Sequence, residues 1–164
     1  MNPIIKEAIK ITEELGSVTF IGAVAVILQK GRQRASEDLD FVVVEQISDE
    51  TFLNLNYKPY KKTWVTSRNY KIDVYHSHDL KGIPLQQIID TADEIEVKKG
   101  TTVRAICLEG LMVSKLRAGR PQDIEDLKFL ASNCHRRVNY ASLEDFSKPE
   151  EFIELKNVIK FHST

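Results

Sequence analysis

The chain has 164 residues, 42% apolar and 29% charged, with a formal net charge of −1, which fits one soluble domain with a real core. That balance argues against a surface coated for nonspecific nucleic-acid binding, though not against a local basic patch. Two distant cysteines, Cys107 and Cys134, argue against a disulfide framework or zinc site, and no apolar run approaches the ~20 residues of a membrane span. The charged, amphipathic N-terminus is unlike a signal peptide, so a cytoplasmic protein is expected.

Residues 3 to 15 carry Ile4, Ile5, Ala8, Ile9, Thr12 and Leu15 at helical spacing, with Pro3 suited to the first turn and Gly16 to the stop. Residues 17 to 21 read as a strand. Residues 23 to 28 fit either a strand or two helical turns. Residues 38 to 45 are the clearest buried strand, and 49 to 55 a short helix capped by Ser48. Residues 57 to 72 interleave Tyr57, Tyr60, Trp64 and Tyr70 with Lys58, Lys61, Lys62, Arg68 and Lys71. Two strands, 60–66 and 70–76, are expected there, turning near Arg68-Asn69. A helix over 85–92 and a hairpin around Lys99-Gly100 follow.

From Cys107 the pattern turns helical. Leu108, Leu111, Met112, Lys115 and Leu116 form a stripe that ends near Gly119. Pro121 opens a second helix whose core face is Ile124, Leu127, Leu130 and Ala131. Two shorter helices, 142–146 and 149–159, complete the chain. The expected fold is α/β (α+β): a small mixed sheet with flanking helices and a helical C-terminal layer. It forms one domain, with an α/β part over 1–106 and a helical part over 107–164.

One stretch stands out. Asp38 and Asp40 lie one residue apart at the mouth of an apolar run. Alternate side chains of an extended chain share a face, so the two carboxylates can grip one hard cation. Without a neutralising partner they would repel.

Gly22-Ala23, then Arg34-x-Ser36-x-Asp38-x-Asp40, then Asp73 on a later strand, resemble the minimal nucleotidyltransferases of the DNA polymerase β-like superfamily. The segment from Leu108 through Leu116, with Arg120, Asp123 and Asp126 after it, resembles the abortive-infection toxin-type members and their uncharacterised relatives. The likeness spans roughly residues 15 to 132. It implies a nucleotidyltransferase fold and transfer of a nucleoside monophosphate from a nucleoside triphosphate to a hydroxyl. It also implies two magnesium or manganese ions held by Asp38, Asp40 and Asp73, with Asp73 as general base. Gly22, Ala23, Arg34, Ser36, Lys115, Arg120 and Asp123 are implied contacts to nucleotide and phosphate. The implied acceptor is RNA (tRNA first), a protein or a small molecule, and an antitoxin-like partner protein is implied as well.

Where the family usually has Gly-Gly or Gly-Ser, this chain has Gly22-Ala23, which keeps the backbone N–H but lacks the serine hydroxyl. A catalytically inactive binding protein of the same fold is therefore an open alternative, and the likeness in layout to small antibiotic nucleotidyltransferases leaves antibiotic modification as another. At single residues other readings also stand. Asp38 and Asp40 could be solvated acids at a strand edge, Ser36 a turn residue, and Arg120 with Asp123 a first-turn ion pair. His76 and His78 read as ordinary histidines because no third soft ligand is near. The Tyr57–Lys71 ribbon could stack single-stranded RNA or simply be a protected edge strand.

Overall fold

The computed structural model describes residues 1–30 and 36–163. The first helix, α1 (Pro3–Leu15), is capped by the Asn2 side chain, which accepts from the Ile4 N–H. It stops at Gly16, whose φ of 84° suits a residue without a Cβ. Strand β1 (Thr19–Ile21) runs directly into α2 (Gly22–Leu28), which settles the ambiguous run as a helix. Val24 to Leu28 are all buried, so α2 is apolar around its whole circumference, and no helical periodicity was there to read.

Strand β2 (Asp38–Val42) ends three residues short of the expected Glu45, and α3 (Asp49–Asn54) is capped by Ser48 as expected. The expected 60–66 strand is a hairpin instead. Strands β3 (Lys58–Tyr60) and β4 (Thr63–Val65) fold back on each other at Lys61, which takes φ 53°. Strand β5 (Lys71–Tyr75) follows the expected turn, with Asn69 at φ 71°. After α4 (Leu85–Asp90), strands β6 (Asp93–Lys98) and β7 (Thr101–Ala105) form the hairpin around Gly100.

The helical part comprises α5 (Leu108–Ala118), α6 (Pro121–Cys134), a 3-10 turn at His135–Arg137, α7 (Tyr140–Phe146) and α8 (Pro149–His162). Helix α5 ends at left-handed Gly119, whose N–H donates to the Lys115 carbonyl. Ile124 is a correction. It is 44% exposed, and the inner face of α6 carries Asp123 and Asp126 beside Leu127, Leu130 and Ala131. Those two carboxylates are paired, which is why that face admits them.

Seven strands make one mixed sheet in the order β3-β4-β5-β2-β1-β7-β6. The central β2 runs antiparallel to β1 and parallel to β5, and β1 runs parallel to β7. Leu39 and Phe41 of β2 are fully buried, and Phe41 meets Phe20 edge-to-face at 5.7 Å. Their alternation leaves Asp38 and Asp40 on the opposite side of the strand. The core is one continuous cluster linking sheet and helices, with α5 packed against α6, α7 and α8.

Candidate active site

The register decides the site. Asp40 pairs with Ile21 on one side and with Asp73 on the other. Because Ile21 ends β1, Gly22 opens α2 directly against Asp40. Gly22 has φ +63°, and a Cβ there would stand 2.8 Å from Asp40 Oδ2. Glycine thus serves twice, in backbone conformation and in close approach.

The Asp40 and Asp73 carboxyls stand opposite each other across the β2–β5 pair. Burial first, and then the charges of Asp73 and Asp38, push the Asp40 carboxyl up to about 7 against the opposing charge of Lys115. Asp38 is exposed and acts on Asp40 through its charge. Among the described residues, no three His, Cys, Asp or Glu side chains are already gathered as a cage for a metal ion. The structure therefore brings Asp40 and Asp73 together and leaves Asp38 beside them.

Lys115 reaches in from α5, its side chain only 8% exposed. It is held by Asp123 at 3.1 Å and Asp126 at 2.9 Å. Gln122 donates to the other Asp126 oxygen at 3.1 Å. Arg120 donates through Nε to Asp123 Oδ2 at 2.8 Å while its side chain stays 78% exposed. Burial works against the Asp123 carboxylate, yet its bonds to Arg120 and Lys115 hold it below its ordinary range. Asp126 and Asp123 thus anchor the cations. Ser36 spends its hydroxyl on the Asp38 carbonyl at 2.9 Å, a turn closure at the start of β2. Arg34 lies outside the described residues.

Two clefts flank the aspartate pair. One, about 290 Å³, includes Gly22, Asp40, Lys81, Lys115 and Arg120 in its lining. The other, about 420 Å³, includes Asp73, Asp49, Lys62, Trp64 and His76. Tyr75 lines both, and burial followed by the charges of Asp40 and Asp73 raises its phenol. Tyr75 was missed as a site residue, although its shared parity with Asp73 on β5 was the signal. Lys81 and Ser114 also line the first cleft and carried no sequence signal.

A larger cavity, about 730 Å³, lies at the other ends of α2 and α5. It is lined by Asp93, Glu94, Glu96 and Glu109 against Lys30 and Arg137, so acids outnumber cations and a triphosphate would be repelled.

The aromatic–basic ribbon is largely structural. Tyr57 is buried and donates to Glu14, Trp64 stacks on Phe52 with centroids 4.8 Å apart, and Arg68 bonds Glu7 and Glu14 on α1. Lys58, Lys61, Lys62 and Lys71 remain exposed. His76 and His78 are exposed and join no metal-ligating cluster among the described residues.

Comparison with known proteins agrees with this architecture. The Helicobacter pylori protein JHP933 superposes with a TM-score of 0.54 at 18% identity, covering 97% of this chain and 89% of its own. ANT(2")-Ia, solved in complex with adenylyl-2"-tobramycin, superposes with a TM-score of 0.51 at 13% identity, covering 98% and 97%. At these identities the likeness is one of fold. No curated protein sequence matches the chain. The family model described as "nucleotidyl transferase of unknown function (DUF2204)" matches residues 2–158, nearly the whole length, and the chain belongs to that family.

Proposed function

We propose that the protein transfers a nucleoside monophosphate from a nucleoside triphosphate to a hydroxyl acceptor, with magnesium held by Asp40, Asp73 and Asp38. The observation that carries this reading is the in-register Asp40–Asp73 pair, flanked by a cation-bearing cleft on one side and a second cleft on the other. The donor set fits the ion: hard carboxylate oxygens, with the Asp40 carboxyl raised to about 7 by burial and by the charges of Asp73 and Asp38. Bound there, magnesium would offset charge on the phosphates and on the attacking and leaving oxygens.

In this scheme the chain's own groups do the rest. Backbone N–H groups of Gly22 and Ala23 and the exposed guanidinium of Arg120 hold the triphosphate, with Lys81 beside them. Lys115 supplies positive charge under Asp40. Asp73 takes the proton of the acceptor hydroxyl as its oxygen bonds to the α-phosphorus; the bond to the bridging oxygen breaks and pyrophosphate leaves. Holding both partners in adjacent clefts converts an encounter into an oriented reaction.

The acceptor enters on the Asp73 side. RNA is the first candidate, because Lys58, Lys61, Lys62 and Lys71 leave an exposed basic rim there. A small hydroxylated molecule is the second, because a cleft of about 420 Å³ is of ordinary small-molecule size and carries Asp49 and Asp73 as acceptors. An experiment separates them. Each α-labelled nucleoside triphosphate is incubated with magnesium and either total RNA or a panel of aminoglycosides and other polyols. Label should pass to one class only, and should fail to pass with Asp40→Ala. Transfer that survives Asp40→Ala would falsify the mechanism.

A further inference from the structure

Helix α8 buries Leu155 and Ile159 against the other helices, while its far side faces solvent. There Ile153, Asn157 and Phe161 recur every four residues, with Ile153 59% and Phe161 78% exposed. A shallow hollow runs along this stripe beside Val158. Large apolar side chains so exposed, aligned on one helix, call for a cover. The charges beside the stripe say which. At 100° per residue, Glu154 lies along one flank, and Lys156 and Lys160 along the other.

We infer that this face of α8 pairs with the same face of a second copy of the chain, the two helices parallel about a two-fold axis. A parallel two-fold sets the acidic flank of each helix against the basic flank of its mate, so Glu154 meets the Lys156 and Lys160 flank of the other copy, Lys156 leaving its place 4.4 Å over the Phe152 ring to reach it. An antiparallel pairing keeps like flanks together and sets Lys156 beside Lys160. In the parallel arrangement Ile153 packs on Ile153 and Phe161 on Phe161. Asn157 meets its own copy between them, where a lone polar residue favours one register. Glu150 also meets its counterpart at the helix start, a local cost that an exposed side chain reduces by turning outward. The seam is three turns long, well short of the ~800 Å² per partner of a standard interface, so the dimer is weak.

Sedimentation velocity on the whole protein from about 1 to 300 μM tests this, with a monomer–dimer equilibrium expected in the micromolar range or above. Phe161→Glu, at an exposed position where folding should be unaffected by circular dichroism, should weaken association by about tenfold or more. Orientation is read by oxidative cross-linking, in which the buried Cys107 and Cys134 do not compete. Ile153→Cys alone and Phe161→Cys alone should each link to themselves. A chain monomeric throughout, a dimer indifferent to Phe161→Glu, or linkage only in the Ile153→Cys/Phe161→Cys double variant would each overturn the proposal.

Discussion

Asp40 on β2 and Asp73 on β5 are register partners on adjacent parallel strands, and after burial the charge of Asp73 is what most raises the Asp40 carboxyl. Two acids opposed at the mouth of a buried sheet are costly as ions and useful as ligands. The predictions below follow from that tension and from the groups that hold the pair in place.

Replacing Asp40 by Asn should abolish nucleotidyl transfer yet stabilise the metal-free protein at alkaline pH. The folded carboxyl holds its proton up to about 7, against 3.8 ordinarily. The raised value means the contribution is fully present below pH 4 and is lost as pH rises towards 7. Thermal melts at pH 5 and pH 8, with a chelator present, should show Asp40→Asn gaining on the parent protein more at pH 8 than at pH 5. The gain should be no more than a few kcal/mol.

Magnesium should act in the opposite direction. At pH 8 it should raise the melting temperature of the parent protein, and a chelator should reverse the rise. At a hundredfold excess over its dissociation constant the effect is about 2.7 kcal/mol. Asp73→Asn should lose most of it. A melt insensitive to magnesium in the presence of a nucleoside triphosphate would remove the metal from the scheme.

Gly22→Ala should cost about 1–2 kcal/mol through its positive φ alone. It should impair transfer more severely than that stability loss, because the added methyl meets Asp40 Oδ2 rather than empty space. Comparing rates at a temperature where both proteins are fully folded isolates the second effect.

Lys115→Ala should be among the most destabilising single changes. It leaves Asp123 and Asp126 without the cation between them, both nearly inaccessible to solvent. Breaking a buried pair from one side costs about 3–5 kcal/mol. Denaturant unfolding should place Lys115→Ala well below Arg120→Ala, whose side chain is mostly exposed and whose loss should appear mainly as weaker nucleotide binding.

Several features were legible along the chain because they are local. Alternation put Asp38 and Asp40 on one face, Ser48 announced α3, and Gly16 and Gly119 marked where helices stop. The wrong or open readings share a cause. Residues 24 to 28 are buried on every side, so their pattern carried no period. The hairpin at Lys61 uses a left-handed lysine where no glycine or asparagine advertises it. Ile124 follows helical spacing yet faces solvent, because paired acids take the inward positions of α6.

The sequence by itself determined which residue types were available and which face of its own strand each aspartate would take, because side-chain direction repeats every two residues in a strand. Only the tertiary structure decided that β5 lies beside β2 in the register that opposes Asp73 to Asp40. It likewise decided that α5 delivers Lys115 into a clasp of two carboxylates, and that Arg68 is committed to α1. Strand neighbours and buried ion pairs are chosen by the burial of the whole core, which sums over residues far apart in the chain and leaves no mark in any one segment.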